Sequence, residues 1–132
     1  MKKKRRDKKS NAWIPIRNSN PDELYGELVR RHPQYRRALE RGETVIEDGV
    51  EVNPEMHLQL HLIVERQLLS GDPDFVREAA IRLERHGVHP HDVRHLLALP
   101  LVDQVFTVVK TRTSYDRDKH RKAVEEILAE HC

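Results

Sequence analysis

Apolar residues recur at helical spacing over most of the chain, and short polar segments rich in proline, glycine and asparagine interrupt them. Asn20 and Asn53 each precede a proline, which is a typical helix start because asparagine caps the first turn and proline suits its first position. Such signals predict helices over about residues 21–31, 33–41, 54–70, 73–86, 91–110 and 115–131. The pattern therefore predicts an all-α fold, a compact helical bundle of about five to six helices.

Two places depart from regular helix. Pro100 lies within the apolar segment 91–110, where we expect it to kink the helix or to split it. Asp48 and Gly49 separate two short runs of valine and isoleucine, which predicts a short β-hairpin within residues 44–52. Because each strand has only three or four residues, an ordered loop is an equally good interpretation.

Charged residues are unevenly distributed along the chain. Its 132 residues carry a formal net charge of +2, but residues 1–9 contain seven basic residues and one acidic residue. We predict a basic, flexible N-terminal tail over residues 1–20 and a single helical domain over residues 21–132. Such a tail suits RNA or the ribosome, whose phosphates it neutralises. The residues predicted to contact nucleic acid are Lys2, Lys3, Lys4, Arg5, Arg6, Lys8 and Lys9.

The composition also argues against several classes of protein. No apolar run approaches the roughly 20 residues that a membrane-spanning helix needs, so we expect no membrane association. No apolar segment follows the basic N-terminus, which argues against a secretory signal. Cys132 is the single cysteine, and the absence of an intrachain disulfide agrees with a reducing cytoplasm. We therefore expect a cytoplasmic protein, and its oligomeric state stays open.

Four of the nine histidines form two pairs with the spacing His-x-x-x-His, namely His57 with His61 and His91 with His95. Residues four apart on a helix point the same way, which suits two imidazoles that bind one metal ion. The spacing alone is weak evidence for a metal site. The orientation of each pair on its helix therefore decides how strongly the spacing supports such a site.

A helical wheel places the first pair on the buried side of its helix. At about 100° per residue, Glu55, Gln59 and Arg66 form one narrow polar stripe, and apolar residues occupy nearly all the rest. His57 lies opposite that stripe with His61 beside it. A helix that is apolar around most of its circumference is central and buried, so this pair is predicted to face other helices.

The second pair has the same orientation on its own helix. His91 and His95 align with Ala98 and Val102 on the apolar side of segment 91–110. Two helices are thus predicted to place their imidazoles in the interior, where each ring nitrogen needs a partner.

Two arrangements satisfy these buried rings. The first is a divalent metal ion, zinc or iron, bound by His57, His61, His91 and His95, with Glu65 as a further ligand or as an acceptor for a ring N–H. The second is a set of hydrogen bonds to Glu65, to Gln67 or to backbone carbonyls, with no metal. We expect the remaining histidines to be solvated or to lie in loops: His32, His86, His89, His120 and His131.

The segment NPEMHLQLHLIVERQL at residues 53–68 resembles the signature of a small bacterial family known as domain of unknown function 1841. RHPQYRRALE at 31–40 resembles the upstream element of that family, and HDVRH at 91–95 resembles the downstream one. The resemblance extends over about residues 24–106. It implies a compact helical bacterial protein in which the two histidine pairs form a matched set, and it implies no activity.

Three functions are consistent with these features. A metal-binding helical bundle rests on the histidine pairs, and a catalytic version would need an open coordination position. A nucleic-acid- or ribosome-associated protein rests on the basic tail, to which the arginines between residues 30 and 41 could add. A metal-free protein-interaction module needs neither. Whether the protein is an enzyme stays open, because no nucleophile constellation, phosphate-binding loop or interpretable carboxylate pair is found.

Overall fold

The computed structural model describes residues 20–132, so most of the predicted tail lies outside the described residues. Six α-helices and one small sheet make these residues 75% helical, which confirms the predicted all-α fold. In chain order the elements are α1 (Pro21–Arg30), a 3-10 turn (Pro33–Tyr35), α2 (Arg36–Arg41), β1 (Val45–Glu47), β2 (Val50–Val52), α3 (Pro54–Ser70), α4 (Asp74–Arg85), α5 (Pro90–Thr111) and α6 (Arg117–His131).

The helix ends follow from local hydrogen-bonding chemistry. The side chains of Asn20 and Asn53 accept hydrogen bonds from backbone amides in the first turns of α1 and α3. Gly71 ends α3 in the left-handed region at φ 74°, a conformation that costs glycine little. Helix α6 is capped by Asp116, whose carboxylate accepts a hydrogen bond from a backbone amide in its first turn. The ends at Asn20 and Asn53 thus confirm the two predicted helix starts.

The predicted β-hairpin is present. Strands β1 and β2 are antiparallel, with Val45 opposite Val52. Asp48 and Gly49 form the turn at φ 51° and 78°, as the mirror-image turns of two-residue hairpins require. Glu47, the last residue of β1, takes part in the candidate site described below.

Helix α5 runs without interruption through Pro100, so it is not split there. Proline removes one hydrogen bond to the carbonyl four residues earlier. Val93, Leu97 and Leu101 on the same helix are buried in the core, and this packing offsets the lost bond.

Two apolar clusters meet on helix α3. The larger joins α3, α4, α5 and α6, and the smaller joins α1, the 3-10 turn and α3 through Leu24, Leu28, Tyr35 and Leu58. Helix α3 packs against α1, α2, α4 and α5, which is the central position that its apolar circumference predicts. Among residues 20–132, no helix combines the length and the hydropathy that crossing a bilayer requires.

Candidate metal centre

Five histidine rings converge where the two apolar clusters meet. Helix α3 contributes His57 and His61, whose ring centroids are 4.9 Å apart. The first turns of α5 contribute His91 and His95, at 4.4 Å from each other. The His61 ring lies 4.9 Å from that of His95, so the two predicted pairs face each other. The fifth ring is His32, which precedes the 3-10 turn and lies 4.8 Å from His61.

Four of these rings form a cage with a common centre. One ring nitrogen from each of His32, His57, His61 and His95 lies within 4.8 Å of the others. Zinc–nitrogen bonds of about 2.0–2.1 Å in tetrahedral geometry would place the nitrogens about 3.4 Å apart. The rings therefore need to move inward by roughly an ångström to close on an ion. His91 lies beside the cage, with its centroid 5.2 Å from that of His61.

The protonation of His32 follows from its hydrogen bond. Its Nδ1 lies 2.8 Å from the carbonyl oxygen of Leu28, and a carbonyl oxygen can only accept. Nδ1 therefore carries the proton, and the lone pair of a neutral ring lies on Nε2. This is the arrangement by which a backbone carbonyl orients a metal-binding imidazole. The His32 residue is 1% exposed, so the turn holds this ring inside the protein.

Buried ring nitrogens in the cage lack hydrogen bonds. The Nε2 atoms of His32, His57 and His95 are buried and make no hydrogen bond among the described residues. Leaving such an atom unpaired costs about 1–3 kcal/mol. The metal-free arrangement of hydrogen bonds to Glu65, Gln67 or carbonyls does not account for these three atoms. A bound cation would accept all three lone pairs.

Burial also keeps the rings uncharged. Loss of solvent, with a smaller effect of neighbouring rings, lowers the pKa of His57 to about 4 and that of His91 to about 3. The pKa of His32, His61 and His95 is lowered by the same burial. A metal ion at neutral pH therefore does not have to displace protons from these rings.

Tyr35 forms one wall of the cage and links it to the hairpin. Its ring stacks on His32 at 5.6 Å and meets His57 edge-on at 5.3 Å. The Tyr35 hydroxyl donates a hydrogen bond of 2.8 Å to Glu47 on β1. Burial and this carboxylate raise the pKa of Tyr35, so the phenol stays protonated. The Glu47 carboxylate of the hairpin thus lies against this wall of the cage.

Glu65, predicted as a further ligand or as an acceptor for a ring, is paired with an arginine instead. Its carboxylate lies 2.6 Å from Nε of Arg94, with the two side chains 2% and 9% exposed. Burial raises the pKa of Glu65, and Arg94 opposes that rise. Arg94 also donates to the carbonyl oxygen of Pro90. Glu65 therefore pairs with a buried cation and is not a free carboxylate ligand.

The expectation that His120 is solvated is wrong. His120 is 1% exposed, with its ring edge-on to Phe75 at 5.0 Å and its Nδ1 2.6 Å from the Tyr115 hydroxyl. His86 and His131 are exposed as expected. His89 begins α5 and accepts a hydrogen bond from a backbone amide through Nδ1. A neutral His89 ring then carries its proton on Nε2, so it is poorly suited to bind a metal.

His32 and Tyr35 are the site residues that sequence reasoning missed. His32 lies at a helix break, where spacing on a single helix says nothing about its direction. The HPQY segment, with one aromatic ring three residues after another, was the available signal. The residues predicted to contact nucleic acid, between Lys2 and Lys9, lie outside the described residues.

The fold and the site define a helical protein with a buried cluster of imidazoles. The chain belongs to the family Domain of unknown function (DUF1841), which matches residues 5–126 and so most of the chain. This confirms the resemblance seen in residues 24–106 and extends it in both directions. No curated protein and no solved structure matches the chain.

Breaking the buried ion pair from one side should be costly. In metal-free protein we expect Arg94→Met to lower the free energy of unfolding by about 3–5 kcal/mol, because it leaves the Glu65 carboxylate buried without a partner. The double variant Glu65→Leu with Arg94→Met should recover most of this loss. Urea denaturation of all three proteins measures the difference. Equal losses in the single and double variants would contradict the pairing.

Metal-free protein should lose stability as the pH falls below about 6.5, the usual pKa of histidine in an unfolded chain. Folded His57 and His91 take up protons only near pH 4 and pH 3, so over this interval the unfolded state binds more protons. Each such histidine contributes up to about 1.4 kcal/mol per pH unit. Urea denaturation of chelator-treated protein between about pH 8 and pH 5 measures this slope. A constant free energy of unfolding would contradict the burial of neutral rings.

Proposed function

We propose that the protein binds one divalent transition-metal ion, zinc or iron, through His32, His57, His61 and His95. The observation that carries the proposal is that three separate elements bring four ring nitrogens within 4.8 Å of one another. Three of these rings keep a buried Nε2 that makes no hydrogen bond among the described residues. His91, the remaining member of the predicted set, lies against the cage and is a candidate fifth ligand.

The chemistry of the donors favours some metals over others. Imidazole nitrogen suits zinc, iron, copper and nickel, whereas magnesium and calcium prefer oxygen ligands. Glu47 bonds to Tyr35 and Glu65 bonds to Arg94, so neither nearby carboxylate adds an oxygen to the cage. An all-nitrogen set does not separate zinc from iron by softness, and the cell's metal supply would decide between them.

The position of the cage indicates what the metal does. The proposed ligands come from the turn after α1, from α3 and from α5, and the smaller and larger apolar clusters meet on α3. An ion bound by four histidines ties these parts together and leaves no open position in a tetrahedral shell. We therefore infer a structural or metal-sensing role for the ion in preference to catalysis.

Metal analysis tests the proposal directly. Protein expressed in metal-replete medium and purified without chelator should carry about one zinc or iron per chain. Removing the ion with a chelator should lower the melting temperature, because binding to the folded state alone adds stability. Less than a tenth of an ion per chain, together with a melting temperature that the chelator does not change, would support a metal-free interaction module instead.

A matched pair of variants tests the role of His32. His32 and His86 each place Nδ1 near the carbonyl oxygen of the residue four positions earlier, but only His32 lies in the cage. Loss of a residue that merely orients a ligand typically costs 10–100-fold in metal affinity, so His32→Gln should weaken zinc binding by at least about tenfold. His86→Gln should leave it unchanged. Competition with a chromophoric chelator measures both affinities, and equal affinities would exclude His32 as a ligand.

A further inference from the structure

A shallow basic groove lies directly after His32 in the chain. It has a volume of about 500 Å³. Its lining residues are Pro33, Gln34, Arg36, Arg37, Glu40 and Arg41. All but one of the charged side chains in it are arginines, whose planar forks match the geometry of phosphate.

The arginines of this groove lack the ion pairs that neighbouring arginines have. Arg30 and Arg31 both bond to Glu27. Arg36, Arg37 and Arg41 are exposed and form no ion pair among the described residues. Glu40 is the single acidic residue that lines the groove, so the groove keeps a net positive charge.

The positive charge of the described residues is concentrated here. Residues 30–41 contain five arginines and one glutamate. The other residues between 20 and 132 include 11 basic and 20 acidic side chains. Residues 20–132 therefore repel polyanions over most of their surface and attract them at this groove, which orients an approaching partner.

We propose that this groove binds the phosphate backbone of a nucleic acid. The groove presents three exposed arginines within six positions of the chain, from Arg36 to Arg41. Three adjacent cations suit a repeating polyanion, whereas a phosphopeptide presents only one or two phosphates. Contacts of this kind give affinity that depends on salt and not on base sequence.

Fluorescence anisotropy with a labelled 20-nucleotide oligouridine RNA tests the proposal on the full chain. We expect the triple variant Arg36→Gln, Arg37→Gln, Arg41→Gln to bind at least about tenfold more weakly at low salt. Three lost phosphate contacts should also reduce the slope of log affinity against log salt by about 2, given roughly 0.7 per contact on a single strand. An unchanged affinity and slope would overturn the proposal.

The control removes three arginines from elsewhere on the surface. Arg66, Arg82 and Arg85 are exposed and lie outside residues 30–41. The triple variant Arg66→Gln, Arg82→Gln, Arg85→Gln changes the net charge equally, and we expect less than a threefold loss. Equal losses in both triple variants would show that total charge, and not the groove, determines binding, and would overturn the proposal.

Two further measurements complete the test. The circular dichroism spectrum and the melting temperature of each variant should match those of the wild type. If the triple variant is less stable, single variants at Arg37 and Arg41 replace it, and each should bind the RNA about threefold more weakly. A doubly phosphorylated peptide should fail to displace the RNA at equal concentration of phosphate. Displacement by that peptide would assign the groove to a phosphopeptide and overturn the proposal.

Discussion

Uncharged imidazoles buried between two apolar clusters impose the main chemical constraint on this fold. A ring nitrogen removed from water needs a partner, and a protonated ring would need a counterion as well. One such partner is the Leu28 carbonyl, which holds the proton of His32. The Nε2 atoms of His32, His57 and His95 make no hydrogen bond among the described residues, so the interior is polar at its centre. Such a centre is costly as a packed apolar core.

Helix α3 makes this arrangement feasible because it belongs to both clusters. Leu58 packs in the smaller cluster, whereas Leu60 and Val64 pack in the larger one. His57 and His61 lie among these residues, so they face the turn after α1 and helix α5 at the same time. The hairpin and Tyr35 close one side of the cage. Residues that are far apart in the sequence, from His32 to His95, are thereby brought to one centre.

Features that lie on a single helix were predictable from the sequence, whereas features that depend on contacts between elements were not. The wheel of α3 places His57 and His61 on the buried side, and its caps at Asn53 and Gly71 follow from local chemistry. The direction of His32 depends on how a helix break docks on α3, which is a tertiary contact with no periodic signal. His120 was misjudged for a related reason, because its helix is charged on most faces and only contact with Phe75 shows which side is inward.

The ion pair between Arg94 and Glu65 has a consequence for the spacing of two helices. Glu65 on α3 follows His61 by one helical turn, and Arg94 on α5 directly precedes His95. The contact of 2.6 Å between the Glu65 carboxylate and Nε of Arg94 therefore joins α3 to α5 close to both histidine pairs. Separating a buried ion pair leaves each charge without its partner, which is costly. The pair thus acts as a spacer that sets how far apart α3 and α5 hold their rings.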